Sequence, residues 1–300
     1  MREYFLHMYQ LGYGPSVGRS VFFFGHLLLR SDSCELEGSQ LRDVECSLAG
    51  WANKSKEVVK GPAPQEVLLD MGLWMTQNGL GESAACLALH LDDYGRPSES
   101  IELAVGSLLP PVHGVRGSPS REWGVIFAPA ELGFVTKTGR VDNSAVLGSP
   151  SRQLAPTVAT ALLARASRRA FETGARAPRA ATDPATPLFP GLTLAQCERD
   201  LRDAAKELGC AELGITPQTT RHAGPPRDIY HKHRNLEQVR RRGRRAAKKS
   251  VTRHERHAKL LKQCAKLDSR QIARMNRSVD LFPDAVLSHI RAGDFTRFRG

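Results

Sequence analysis

Apolar positions recur at three- and four-residue intervals over most of the chain, the spacing of helices that bury one face. Near the amino terminus Tyr4, Phe5, Met8 and Tyr9 repeat in this way, followed by Phe22, Phe23, Phe24, Leu27 and Leu28. Both groups are expected to be buried helix faces, with Leu41 to Trp51 as a third helix. Lys60-Gly61-Pro62-Ala63-Pro64 then interrupts the pattern and reads as a linker, because proline is rejected from helix and strand interiors. Val67, Leu68, Met71 and Met75 mark the next helix, and after Gly79 to Gly81 the segment Ser83 to Leu91 marks one packed against it. The chain is thereby delivered to a turn, Tyr94-Gly95-Arg96-Pro97-Ser98-Glu99, where Arg96 and Glu99 have the spacing of a local ion pair.

The middle of the chain changes character. Trp123 to Phe127 is rich in strand formers, and Val146-Leu147 closes a second short strand after the polar loop Thr136 to Asn143. This predicts a hairpin or a small sheet with Lys137 at or near its tip. Leu154 to Ala166 is helical in pattern, and Glu172 to Pro187 is a low-complexity linker or excursion. Thr193-Leu194-Ala195-Gln196 has the spacing of a capping box, with Gln196 reaching back to the cap and Gly209 stopping the helix after Leu208. Thr216 and Pro217 suit the cap and first position of a short helix that Gly224-Pro225-Pro226 should break or bend. Asn235 caps Leu236 to Arg242, with Gly243 left-handed at its end, and Ser250 caps a helix from Val251 to about Leu261. Residues 266 to 300 read as a tail with one amphipathic piece, Leu281 to Ile290, and a basic end at Arg297 and Arg299. The predicted class is mostly α with a small β-sheet (α+β).

Composition adds a partner to this picture. A hydrophobic content of 41% over 300 residues supplies a core, while a net charge of +12 calls for a polyanionic partner to offset self-repulsion. A basic surface that only solubilises the protein is the alternative on charge alone. Six scattered cysteines without C-x-x-C spacing indicate neither a disulfide framework nor a metal site, which fits an intracellular, reducing compartment and no cofactor. No run reaches the roughly 18 apolar residues of a membrane span, and Val21 to Leu29 is too short and carries His26, so no membrane partner is expected.

The chemistry-bearing residues concentrate in Thr216 to His257, where an Arg221-His222 pair on a Pro-started helix precedes a basic helix, Gly243, and a last helix begun at Ser250. That order resembles the second half of a tyrosine recombinase (phage-integrase-type) catalytic domain. Arg96 in RPSE is similar to the family's first catalytic arginine, Lys137 in TKTG to its hairpin lysine, and Arg221-His222 to its second arginine box. Arg245 follows the third-box glycine, and His254 stands at the nucleophile position. The resemblance implies an integrase-like catalytic domain over 63–265. It is preceded by a shortened core-binding-like helical segment over 1–62 and followed by the 266–300 tail.

Such a site stabilises charge on a DNA phosphodiester. Two guanidinium forks, Arg96 and Arg221, would hold both non-bridging oxygens, and Lys137 near the leaving 5′ oxygen would act as general acid. Three positions depart from the family's pattern. Gln218 replaces a histidine and cannot exchange a proton near neutral pH, Arg245 replaces a histidine or tryptophan, and His254 replaces the attacking tyrosine. All five tyrosines (Tyr4, Tyr9, Tyr13, Tyr94, Tyr230) precede Gly243. The departures imply a degenerate recombinase, a relic of a mobile element that binds double-stranded DNA without cutting it. The alternatives are a strand transferase using His254, His257 or Tyr230 as nucleophile, and a basic RNA-binding protein. The last lacks the usual exposed aromatics after Tyr230, where only Phe282, Phe295 and Phe298 remain. The run from Arg240 through Arg241, Arg242, Arg244, Arg245, Lys248 and Lys249 reads as a solvated face, a nuclear-import patch or a DNA-backbone contact. Beside Arg96, Lys137, Arg221 and His222 it is read as backbone contact, with assembly of copies on DNA and, in a eukaryote, a nuclear location as further expectations.

Overall fold

The computed structural model describes residues 2–31, 38–54, 62–112, 122–133, 142–148, 153–172, 183–243 and 257–293. The chain divides into two units, Met1–Val59 and Lys60–Gly300.

The first unit holds helices α1 (Arg2–Gln10), α2 (Pro15–Ser31) and α3 (Gly38–Lys54). Phe5, Phe22, Val44, Leu48 and Trp51 form its core, and Gly18 brings α2 against α3 because a Cβ there would lie 2.3 Å from the Trp51 ring. The aromatic stripe is only half buried, contrary to its periodicity. Phe23 and Phe24 are 68% and 65% exposed, and Tyr4 and Tyr9 also face water. Adjacent helix positions point about 100° apart, so three consecutive phenylalanines cannot share one face, and only Phe22 turns inward.

The second unit is helical with one small antiparallel sheet. Helix α4 (Gln65–Gln77) packs on α5 (Gly81–Asp93), and Val67, Leu68, Met71 and Met75 are fully buried, as their spacing predicts. The Pro-rich entry is part of this body, since Ala63 is buried in the core. Short helix α6 (Pro97–Ile101) leads to a three-stranded sheet of β1 (Leu108–Leu109), β2 (Trp123–Phe127) and β3 (Asn143–Leu147) in that order. Leu108, Val125 and Ala145 stand opposite one another on its buried face, while Leu109 and Val146 on the other face are exposed. Helix α7 (Leu154–Glu172) follows. The end of the low-complexity excursion returns to the core: Val105 and Gly106 donate to Thr186 and Pro184 carbonyls, and Leu188 to that of Leu103.

Helix α8 (Leu194–Glu207) is capped by Thr193, which accepts from the Gln196 amide at 3.2 Å. Gln196 does not complete the box. Its amide group bonds Asp200 at 2.7 Å, and Asp200 also receives the Ser83 hydroxyl of α5, so the glutamine serves a buried interhelical contact in place of the cap. Gly209 ends the segment at φ +69°. Helices α9 (Pro217–Thr220), α10 (Gly224–Tyr230) and α11 (Leu236–Arg242) follow. Two sequence expectations are corrected here. Gly224-Pro225-Pro226 begins α10 instead of breaking a helix, since proline at a first turn lacks only an amide that would have no intrahelical partner. Gly243 ends α11 at φ −75°, outside the left-handed region.

The carboxyl-terminal region departs most from its sequence reading. After α12 (His257–Cys264), helix α13 (Ser269–Ala292) runs through much of what reads as a tail and packs along α4. Phe282, Val286 and Ile290 are fully buried in the main core. Gly72 of α4 makes room for Phe282, where a Cβ would meet the ring at 2.6 Å. Arg274 donates to Asp70 at 2.8 Å and to the Leu208 carbonyl at 2.8 Å, and Ser278 donates to the other Asp70 oxygen at 2.7 Å. Asp268 caps the helix with Gln271 as its reciprocal partner.

Candidate nucleic-acid interface

The segments that carry Arg96 and Arg221 are linked through a buried histidine, His90, which contacts the residue before each arginine. Helix α5 ends at Tyr94, whose φ of +53° turns the chain sharply into Gly95 and the start of α6. Arg96 occupies the cap of α6. Its backbone amide donates to Glu99 Oε2 at 2.7 Å, and its Nη1 donates to Glu99 Oε1 at 2.7 Å. The expected local ion pair is therefore present. Glu99 fixes the guanidinium while the arginine side chain stays 30% exposed.

Arg221 ends the short helix begun by Thr216 and Pro217, with Thr216 accepting from the Thr219 amide. Its Nη2 donates to the Gly243 carbonyl at 2.9 Å, which joins the second arginine segment to the end of the basic helix α11. Gln218 is exposed one turn earlier on the same face, while His222 is half-buried.

His90 is 4% exposed in the last turn of α5. Its Nε2 lies 2.8 Å from the Gly95 carbonyl and its Nδ1 lies 3.2 Å from the Thr220 hydroxyl. One ring thus spans the residue before Arg96 and the residue before Arg221. A carbonyl only accepts, so Nε2 carries the proton, and in the neutral ring Nδ1 accepts from Thr220. The same hydroxyl lies 2.7 Å from the Pro217 carbonyl and its one proton is shared between the two acceptors. Burial pushes the His90 pKa below its ordinary value; Asp93 opposes this, Arg221 adds to it, and Glu99 opposes it.

A second buried network fixes the surroundings. Tyr94, fully buried against Ile229, Leu236 and Val239, donates its hydroxyl to Asp228 of α10. Arg234 also donates to Asp228 and, through Nη2, to the Gly148 carbonyl at 2.9 Å. The Gly148 amide donates to Asp92 at the end of α5. Burial works against the charge of Arg234, but Asp228, Tyr94 and Asp92 together outweigh it and hold the guanidinium above its ordinary pKa. The exit of the hairpin, the α5 turn and the α10–α11 connection are thereby tied together. Gly224 permits the close approach, since a Cβ there would lie 2.2 Å from Tyr94 and 2.8 Å from the Leu91 carbonyl.

On α11, Arg240 and Arg241 both bond Glu237, at 2.7 Å and 3.0 Å, and these hydrogen bonds draw the Glu237 pKa down to about 2. Arg241 remains 78% exposed at its side chain. Lys137, Arg244, Arg245, Lys248, Lys249 and His254 lie outside the described residues, as does the side chain of Arg242. Among the described residues no group of three or more acidic, histidine or cysteine side chains is arranged to hold a metal ion. No described helix is long and apolar enough to cross a membrane.

The signal that could have found His90 is its position, one histidine within the otherwise apolar run Cys86 to Leu91, six residues before Arg96. Comparison with protein-family models, curated proteins and solved structures finds no match to this chain.

Proposed function

We propose that this protein binds the backbone of double-stranded DNA through a phosphate-holding pair of arginines, Arg96 and Arg221, with the basic helix α11 alongside, and that it does so without cutting the strand. The observation that carries the reading is the His90 bridge, which couples the Gly95 carbonyl and the Thr220 hydroxyl and so brings the two arginine segments to one imidazole. Two guanidinium forks, if carried by these linked segments to one phosphate, would suit it, because its oxygens accept paired charge-assisted hydrogen bonds. The chain's charge of +12 supplies the long-range attraction that a polyanion requires. Order and spacing similar to the tyrosine recombinases suggest DNA as the polyanion. The absence of any tyrosine after Tyr230 in this sequence removes the family's nucleophile.

The reading is tested by titrating a labelled duplex with the protein at rising salt. Each engaged phosphate contributes about −0.9 to the slope of log affinity against log salt. Arg221→Ala should weaken binding and flatten that slope by about one contact, with the helical signal of the variant intact. A salt-independent affinity, or an Arg221→Ala variant indistinguishable from wild type, would count against the proposal.

A further inference from the structure

Between α10 and α11 the chain displays three rings in sequence on its surface. Tyr230, at the end of α10, is 66% exposed. Its ring meets His231 edge-on at 5.1 Å and 85°, and His231 stacks on His233 at 5.5 Å and 28°. Between the two imidazoles, Lys232 takes a φ of +54°. For a residue with a Cβ this conformation is strained, and it reverses the chain so that both imidazoles fall on one side.

The turn is held firmly although its side chains are exposed. The amides of His231, Lys232 and His233 donate to the carbonyls of Arg227, Ile229 and Asp228 at 2.9, 3.1 and 2.9 Å. Immediately after it, Arg234 is anchored on Asp228 and Gly148. Rings already fixed in place lose little conformational freedom when something docks on them. The ledge combines a phenol, two imidazoles and a lysine, so its faces are flat and its edges polar and cationic. An aliphatic protein partner would leave those edges unsatisfied, whereas a nucleobase offers a flat face and its own phosphate a charge for Lys232.

We infer that Tyr230, His231, Lys232 and His233 form a stacking ledge for an unpaired nucleotide, such as the first base of a single-stranded overhang on a bound duplex. The inference rests on the DNA reading above and goes beyond it, since backbone contact alone makes no distinction between paired and unpaired bases. Lys232 contributes charge, Tyr230 and His233 contribute ring faces, and His231 sets their mutual position.

The test compares a blunt duplex with the same duplex carrying a short overhang whose first base is 2-aminopurine, in the presence of a chelator. Wild type should bind the overhang more tightly and quench the 2-aminopurine emission. Tyr230→Ala should lower overhang affinity roughly 5- to 100-fold, the range for loss of one base–aromatic stack, and abolish the quench while leaving blunt-duplex affinity unchanged. His233→Ala should give a smaller loss of the same kind. Equal affinity of wild type for both substrates, or a Tyr230→Ala variant that keeps the preference and the quench, overturns the ledge while leaving duplex binding standing. A preference that emerges only when zinc replaces the chelator also overturns it, in favour of a metal-bridged contact. Failure to bind either substrate overturns the DNA reading and the ledge together.

Discussion

Removal of the His90 ring by His90→Ala perturbs the contact on which the arginine pair depends. The imidazole is 4% exposed and bonds the Gly95 carbonyl at 2.8 Å and the Thr220 hydroxyl at 3.2 Å. Deleting it leaves a buried carbonyl without this donor, at about 1–3 kcal/mol, and opens a cavity the size of the ring. A total destabilisation of about 3 kcal/mol is expected, measured by urea denaturation followed by circular dichroism. The pH dependence gives a sharper signature. Burial lowers the folded-state pKa of His90 below its ordinary 6.5, so on acidification the unfolded chain takes up the proton before the folded one does. His90 therefore contributes its full stability above about pH 6.5, and the contribution is lost as the pH falls from there towards the folded-state pKa. The loss is at most about 1.4 kcal/mol per pH unit for one group. The stability difference between wild type and His90→Ala should thus be largest at pH 8 and shrink below pH 6.5, with other titrating groups cancelling in the subtraction. A difference that stays constant from pH 8 to pH 5 would show that His90 does not titrate differently in the folded and unfolded chain.

Other substitutions test neighbouring parts of the account. Gly224→Ala would place a Cβ 2.2 Å from Tyr94 and 2.8 Å from the Leu91 carbonyl, so a loss of about 3 kcal/mol is expected in denaturant, and a loss below about 0.5 would contradict the packing. Phe282→Ala empties a fully buried position between α13 and α4 and should cost about 3–5 kcal/mol; a near-neutral effect would show that α13 is not part of the core. Glu237→Gln removes the carboxylate shared by Arg240 and Arg241 and should raise duplex affinity severalfold at low salt, an advantage that fades as salt screens it. Because those arginines hold the Glu237 pKa near 2, the advantage should not vary between pH 5 and pH 8.

Local signals were the most readable part of this chain. The α4–α5 pair, the Thr216 and Asn235 caps and the strand Trp123–Phe127 each follow from side-chain chemistry acting within a few residues. Misreadings arise where tertiary contacts compete with local ones. Gln196 is drawn to Asp200 because that carboxylate is buried between α5 and α8, a fact of packing that a four-residue motif cannot contain. Phe23 and Phe24 read as core by hydrophobicity alone, but the helical angle between neighbouring positions turns them to solvent. Helix α13 was missed in part because Pro283 interrupts its pattern, although Asp268 and Gln271 announce its start and Met275, Phe282, Val286 and Ile290 mark its buried face.

The candidate site was legible in its arginines and invisible in what holds them. Arg96 with Glu99, and Arg221 on its Pro-started helix, were accessible from spacing alone. His90, Tyr94, Asp228 and Arg234 were not, because their partners lie far along the chain, with separations of 130 residues for His90 to Thr220 and 134 for Tyr94 to Asp228. Tyr230 was legible as a tyrosine but not as an exposed one.

The DNA-binding reading requires Arg96 and Arg221 to hold the same phosphate. A double-mutant cycle on blunt-duplex affinity tests it most directly, with Arg96→Ala, Arg221→Ala and the double variant measured at one low salt concentration. If both guanidinium groups engage one phosphate, the double variant should lose less affinity than the two single losses combined, by a coupling of about 0.5–3 kcal/mol. Two losses that add within about 0.3 kcal/mol, or no loss from either substitution, would contradict the account.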